Sequence, residues 1–263
     1  MGHATDAASD TDPAALTAEA VQEALARLAS PERAAGSARF FKTGPGQYGE
    51  GDVFIGVTVP DTRTVVARFA ALPPHEVSRL LASDVHEHRL AALLIMVRRF
   101  QVAGRPRTRD DAERAALHAA YLHAVHAGRV NNWDLVDSSA EWLVGEVLVD
   151  ARRGDDPLLD RLAVSASLWE RRVAVLATFA FIKAGDGAPT LRLSARLLDD
   201  REDLMHKAVG WMLREVGKRV DRGALTAFLD EYAPRMPRTM LSYATEHLSP
   251  EDRLAYRAMR RAV

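Results

Sequence analysis

The chain has 263 residues, 48% of them hydrophobic and none cysteine, and its 35 Lys and Arg against 36 Asp and Glu leave a formal net charge of −1. That length is ample for a sizeable core in one large domain or two small ones. The absence of cysteine excludes disulfide frameworks, thiolate zinc sites and cysteine nucleophiles, which fits a reducing cytoplasm, and no apolar run approaches the roughly 18 residues of a membrane-spanning helix.

Charge is unevenly placed along the chain. Residues 1–32 hold six acids and one base, so the remaining 231 residues carry a net charge of +4. The near-neutral total hides a modestly basic body. The first residues, Met1 to Pro13, are small and polar rather than basic then apolar, and do not read as a secretory signal. Asp12-Pro13 reads as an N-cap with proline at the first helical position, opening a helix over 12–29. A second helix over 32–42 precedes a glycine-rich stretch, 43–59, in which 53–59 is the only run alternating with period two. Helices restart at Pro60-Asp61, with Val65, Val66 and Phe69 on one face, and continue over 75–81 after Pro73-Pro74. Over 85–102, Leu90, Leu93, Leu94 and Val97 fall at helical spacing. Further helices are expected over 110–127, 132–149, 157–166, 168–183 and 190–198, then 203–219, 224–232, 238–247 and 250–259.

Connections between these helices are mostly short, so the class is all-α. Arg172, Lys207 and Arg238 each stand just before an apolar or small run, 35 and 31 residues apart, and Asp137 lies 35 residues before Arg172. A period of one helix pair predicts a right-handed α-solenoid of HEAT-like repeats, although any antiparallel helix array gives similar spacings. In that register Asp137, Arg172, Lys207 and Arg238 recur at equivalent places, forming one strip on a concave face. The expected division is an acidic segment over 1–30 containing the first helix, followed by one repeat domain over 31–263.

Chemistry concentrates in a few places. Trp133 and Asp137 are i and i+4 on one expected helix, an aromatic plate one turn from a carboxylate, and both attract positive charge. A core tryptophan and a helix-start acid would give the same spacing, and Asp134 is placed to favour the helix dipole. Arg171 and Arg172 follow Trp169, and Lys207 precedes Trp211. Such bases grip phosphate or pair with an acid on a neighbouring repeat. The stretch from Gly44 to Gly49 matches G-x-G-x-x-G literally, but a helix precedes it and no parallel sheet is expected, so it is not a dinucleotide loop. It could order on a partner. No histidine falls at zincin spacing, and Ser138-Ser139 has no base at a recognisable distance. Neither a metal nor a cofactor is expected.

Four motifs together resemble the DNA alkylation-repair family, more closely its AlkD-like glycosylases of HEAT-like repeats. They are Phe40-Phe41-Lys42-Thr43-Gly44-Pro45-Gly46, Asn132-Trp133-Asp134-Leu135-Val136-Asp137, Trp169-Glu170-Arg171-Arg172, and the run from Lys207 through Trp211 and Arg214 to Glu215. The resemblance runs over about residues 30–260. It implies a concave basic groove for duplex DNA. Asp137 would be the catalytic carboxylate, Trp133 and Trp211 the plates flanking the deoxyribose, and Arg172 a backbone contact that holds the lesion. Lys207, Arg214, Thr58, Arg171 and Arg238 are the further DNA-contact candidates. The implied activity is release of cationic N3- or N7-alkylated purines from double-stranded DNA by a monomeric bacterial enzyme of the cytoplasm. Some relatives remove bulky antibiotic–adenine adducts as self-resistance, which makes a specialised adduct glycosylase the alternative. A non-catalytic repeat scaffold is the other, and it requires Trp133 and Trp211 to be buried as core.

Overall fold

A computed structural model of the chain describes residues 16–259. The expected helix start at Asp12-Pro13 lies outside them. The chain divides into two compact units, Met1–Arg99 and Phe100–Val263.

In the first unit, helix α1 (Ala18–Ala26) starts where the Thr17 hydroxyl accepts the Ala20 N–H at 3.2 Å. Helix α2 (Pro31–Phe40) starts at the Ser30-Pro31 pair, one cap earlier than the periodicity places it. Helices α3 (Val59–Arg68), α4 (Pro74–Leu81) and α5 (His86–Ala103) follow, the last continuing past Arg99. Helix α1 packs on α3 and α4. The buried Glu76 carboxylate of α4 accepts the Ala18 N–H at 2.7 Å, satisfying one of the orphan donors at the start of α1.

The expected alternation over 53–59 does not make a strand. Among the described residues the only bridge is an isolated one between Val53 and Val85. The stretch is pinned by side chains instead. Glu87 gathers the N–H groups of Ile55, Gly56 and Val57 at 2.8 to 3.3 Å. Gly56 has φ +77°, and a Cβ there would lie 2.2 Å from the Ser30 carbonyl oxygen, so this close approach needs glycine. Buried Asp52 meets Arg89 at 2.5 Å and His86 at 3.2 Å, while the rings of Phe41, Phe54 and His86 pack mutually with centroids 4.5 to 5.1 Å apart.

The second unit is an array of helices: α6 (Asp111–His126), α7 (Trp133–Asp137), α8 (Glu146–Asp150), α9 (Pro157–Ala163), α10 (Leu168–Lys183), α11 (Ala188–Arg196), α12 (Asp203–Arg219), α13 (Arg222–Tyr232), α14 (Arg238–Ala244) and α15 (Pro250–Ala258). Helices α9, α11 and α13 pack on α10 and α12, and α7, α10, α12 and α14 pack side by side in series. This all-α arrangement of helix pairs is the expected repeat organisation. Helix α10 begins with Ser167 accepting the Glu170 N–H, a Ser-x-x-Glu start, and buries Val173 through Thr178 continuously. A helix apolar all round is a core helix, and α10 is the element on which its neighbours are laid.

The single helix expected over 132–149 is broken. It splits into α7, a π-helical turn at Glu141–Gly145, and α8. The break brings Gly145 onto α10, where a Cβ would lie 2.1 Å from the Ala177 carbonyl oxygen and 2.8 Å from the Ala180 Cβ. Such turns are single-turn distortions that re-aim a helix. Gly145→Ala gains helix propensity of up to about 1 kcal/mol, but forces two helix backbones apart at a cost of about 1–3 kcal/mol. Urea unfolding of the variant is expected to show a lowered midpoint; an unchanged or raised one would mean that α8 can back away from α10 freely.

Candidate active site

Helix α7 has only five residues, and its ends are built by short side chains. Asn132, fully buried, accepts the Trp133 N–H at 2.9 Å, and Asp134 accepts the Leu135 N–H at 2.9 Å. At the other end Ser138 and Ser139 both reach back to the Leu135 carbonyl, at 3.2 and 2.6 Å. The four-residue step from Trp133 to Asp137 therefore keeps its helical geometry, with indole and carboxylate stacked on one face. Trp133 is half-buried.

Across from it stands α10. Arg172 Nε donates to Asp137 Oδ1 at 2.9 Å and its Nη2 donates to Oδ2 at 2.8 Å, while Nη1 donates to the Leu204 carbonyl at 2.6 Å. The fork-on-carboxylate geometry is the strong form of ion pair, and it joins two residues 35 apart. The guanidinium is 5% exposed and the carboxylate 18%. Burial pushes the Asp137 carboxyl up from its ordinary value and nearby Asp134 adds to that; the Arg172 guanidinium pulls it back down. The pair is thus a carboxylate whose charge depends on one partner. Each oxygen keeps a second lone pair free of Arg172, so the carboxylate can hold a water or face a cation while remaining paired.

The other expected site residues divide sharply. Trp211 on α12 is half-buried and tilts against Phe179 at 6.1 Å between ring centroids; Phe179 stands seven residues after Arg172 on α10. Lys207 pairs with Asp203 at 2.8 Å, both well exposed. Arg171 pairs with Asp200 at 2.7 Å and donates to the Ser165 and Ala166 carbonyls, which is the neighbouring-repeat pairing left open for it above. Arg214 is held by Glu215 at 3.0 Å and by Glu246. Thr58, in the first unit, caps α3 and donates its hydroxyl proton to Asp61 at 2.7 Å. Arg238 is exposed at the start of α14. Among the described residues, no group of three or more His, Asp or Glu is arranged to hold a metal ion, and no helix is long and apolar enough to cross a membrane.

One neighbour of the site had no signal in the sequence. Tyr121 of α6 is fully buried, with its hydroxyl 3.0 Å from Ser139 Oγ. Since Ser139 spends its single proton on the Leu135 carbonyl, the Tyr121 O–H is the donor between the two hydroxyls. Burial pushes the phenol up, and the nearby Asp137 charge adds to this. A tyrosine 18 residues upstream of a serine carries no recognisable spacing; only the packing of α6 against the π-helical turn and α8 joins them.

An all-α repeat protein with a buried carboxylate–guanidinium pair beside a half-exposed indole is the class that fold and site define. The family model described as DNA alkylation repair enzyme matches residues 21–248. The chain belongs to that family, in agreement with the AlkD-like resemblance of its motifs. In fold it is similar to a solved structure described as a "predicted DNA alkylation repair enzyme from Enterococcus faecalis", with TM-score 0.63, 16% identity, and coverage of 84% of this chain and 97% of that one. No curated protein sequence matches the chain.

The hydroxyl pair beneath Asp137 can be tested without substrate. Tyr121→Phe and Ser139→Ala are each expected to cost about 1 kcal/mol in stability. Their double variant should cost clearly less than the sum, because one bond is being removed twice. Additive losses in a double-mutant cycle by chemical denaturation would show that the two hydroxyls do not interact.

Proposed function

We propose that the chain is a monofunctional DNA glycosylase that hydrolyses the N-glycosidic bond of cationic N3- or N7-alkylated purines in duplex DNA. The observation that carries this reading is the Asp137–Arg172 pair one helical turn from Trp133. Alkylation at N3 or N7 makes the purine cationic, hence a good leaving group. The C1′–N bond breaks with its electron pair going to the base, which departs neutral, and the sugar becomes oxocarbenium-like. Water then adds at C1′ and loses a proton.

Such a reaction needs a negative charge beside the sugar more than it needs a general acid. A carboxylate about 4 Å from the developing cation is worth on the order of 4 kcal/mol at an effective dielectric of 20, or roughly three decades of rate. Asp137 supplies that charge and its free lone pairs orient the water, while indole faces add cation–π attraction. Arg172 has the complementary task of keeping Asp137 ionised, and its remaining N–H groups suit a phosphate oxygen. The half-exposure of both Trp133 and Trp211 favours this reading over a non-catalytic scaffold, which would bury them.

The test is release of 3-methyladenine and 7-methylguanine from methylated duplex DNA in single turnover. Asp137→Asn is expected to slow release by about 100-fold or more with duplex affinity nearly unchanged; an unaltered rate would remove Asp137 from the chemistry. A second measurement reads the pair itself. Arg172→Met takes away the group that holds the Asp137 carboxyl down, so burial carries its pKa further up. Activity that requires ionised Asp137 must then be lost at higher pH on the acid side, by roughly one pH unit or more. An acid limb that stays in place would mean that Arg172 serves only the backbone of the substrate.

A further inference from the structure

Helix α10 is buried on nearly every side, yet Phe179 interrupts its run of buried residues: it is half-buried between Thr178 and Ala180, both buried. It stands seven residues after Arg172, and Lys183 stands eleven after Arg172, so the three share one face of the helix. The Phe179 ring is turned toward Trp211 of α12, with centroids 6.1 Å apart and planes at 47°. Aromatic pairs attract in this range.

The placement of Trp211 has two parts. Its backbone is set by Gly210, where α12 presses on α14: a Cβ at that position would lie 2.4 Å from the Met240 carbonyl oxygen. Its indole is set by what it packs against, and the Phe179 ring is itself clamped. The Lys183 ammonium lies 4.8 Å from the Phe179 centroid and the Arg219 guanidinium 5.4 Å, both at cation–π distance. Lys183 also reaches the Trp142 ring at 5.2 Å and pairs with Glu141, while Arg219 pairs with Glu215 at 2.6 Å. Each clamping cation carries its own carboxylate, so the pair holds the ring while its positive charge is offset.

We propose that Phe179 is a positioning residue for base release: it sets the angle of the Trp211 indole, and through it the aromatic face offered to the sugar as positive charge develops there. The proposal rests on the reading of the chain as a glycosylase in which Trp211 flanks the deoxyribose. Cation–π attraction requires the cation to stand over the ring face, within about 6 Å of its centroid. An indole free to turn about its side-chain bonds loses that attraction for much of the time, while the charge of Asp137 stays in place. Phe179 touches no reacting atom; its effect passes through Trp211 alone.

The experiment is a double-mutant cycle on single-turnover release of 3-methyladenine and 7-methylguanine from methylated duplex DNA at saturating enzyme. It uses the full-length wild type, Phe179→Leu, Trp211→Ala and the combined variant. Phe179→Leu should slow release by about threefold to tenfold, the size of one cation–π contact. Affinity for undamaged duplex and the acid limb of the pH profile should stay as in wild type. In the Trp211→Ala background Phe179→Leu should have no further effect, and Phe179→Tyr, which keeps the ring, should retain most of the wild-type rate. Should Phe179→Leu not fold, Phe179→Met takes its place in the cycle. A wild-type rate for Phe179→Leu or for Trp211→Ala overturns the proposal. So does an equal loss in both backgrounds, which would make the ring a support of the fold or of Asp137. Each of these results leaves the glycosylase reading standing, because Asp137→Asn tests it separately. If wild type releases no alkylated base, that reading fails and the positioning role fails with it.

Discussion

The candidate site depends on a carboxylate kept in a place that disfavours its charge. Asp137 is mostly buried, and burial alone would drive it toward the neutral acid. Arg172 opposes this with two near-ideal hydrogen bonds, and is itself fixed by the Leu204 carbonyl. A buried ion pair is poor value for stability, since removing two ions from water costs about as much as their attraction returns. What it does provide is an anion that cannot wander, with its charge poorly screened by water. A surface aspartate would be cheaper to fold and weaker toward a cation.

Everything around the pair serves to hold two helices in register. Arg172 sits on α10, whose burial on nearly every side leaves it no freedom to rotate. Asp137 sits at the end of a helix too short to be stable alone. Its position comes from Asn132 below, Ser138 and Ser139 above, and the buried Tyr121 hydroxyl behind Ser139. The π-helical turn that follows lets Gly145 touch the α10 backbone. Only glycine fits there, since a Cβ would lie 2.1 Å from the Ala177 carbonyl oxygen.

Helices α10 and α12 could be read from the sequence to the residue, because local signals specify them: Ser167 with Glu170 at the start of α10, and Met205, Val209, Met212 and Val216 at helical spacing along α12. The 35-residue step from Asp137 to Arg172 was legible as register, and a register shared by neighbouring helices is what brings the two side chains together. The break after Asp137 was not legible. It depends on a contact between Gly145 and Ala177, and nothing near Gly145 announces it. Tyr121 escaped for the same reason. The alternation around Val53 makes no strand because its backbone partners are the Glu87 carboxylate and one bridge to Val85, a side-chain solution that no periodicity encodes.

Charge shows the same dependence on place over number. A body with a net charge of +4 could owe its excess to any surface. Several arginines of the repeat array are bound to acids of a neighbouring repeat: Arg171 to Asp200, Arg192 and Arg196 to Asp160, Arg235 to Asp199. Spanning 29 to 36 residues, these pairs join one helix pair to another. The exposed ones among them add little stability each, but all of them remove positive charge from competition for an anionic ligand. A polyanion would therefore be directed less by the total than by where the unpaired guanidiniums lie. Arg172 belongs with the paired group: it neutralises Asp137 and is fixed by the Leu204 carbonyl, and under the proposed function that same pairing keeps the carboxylate ionised.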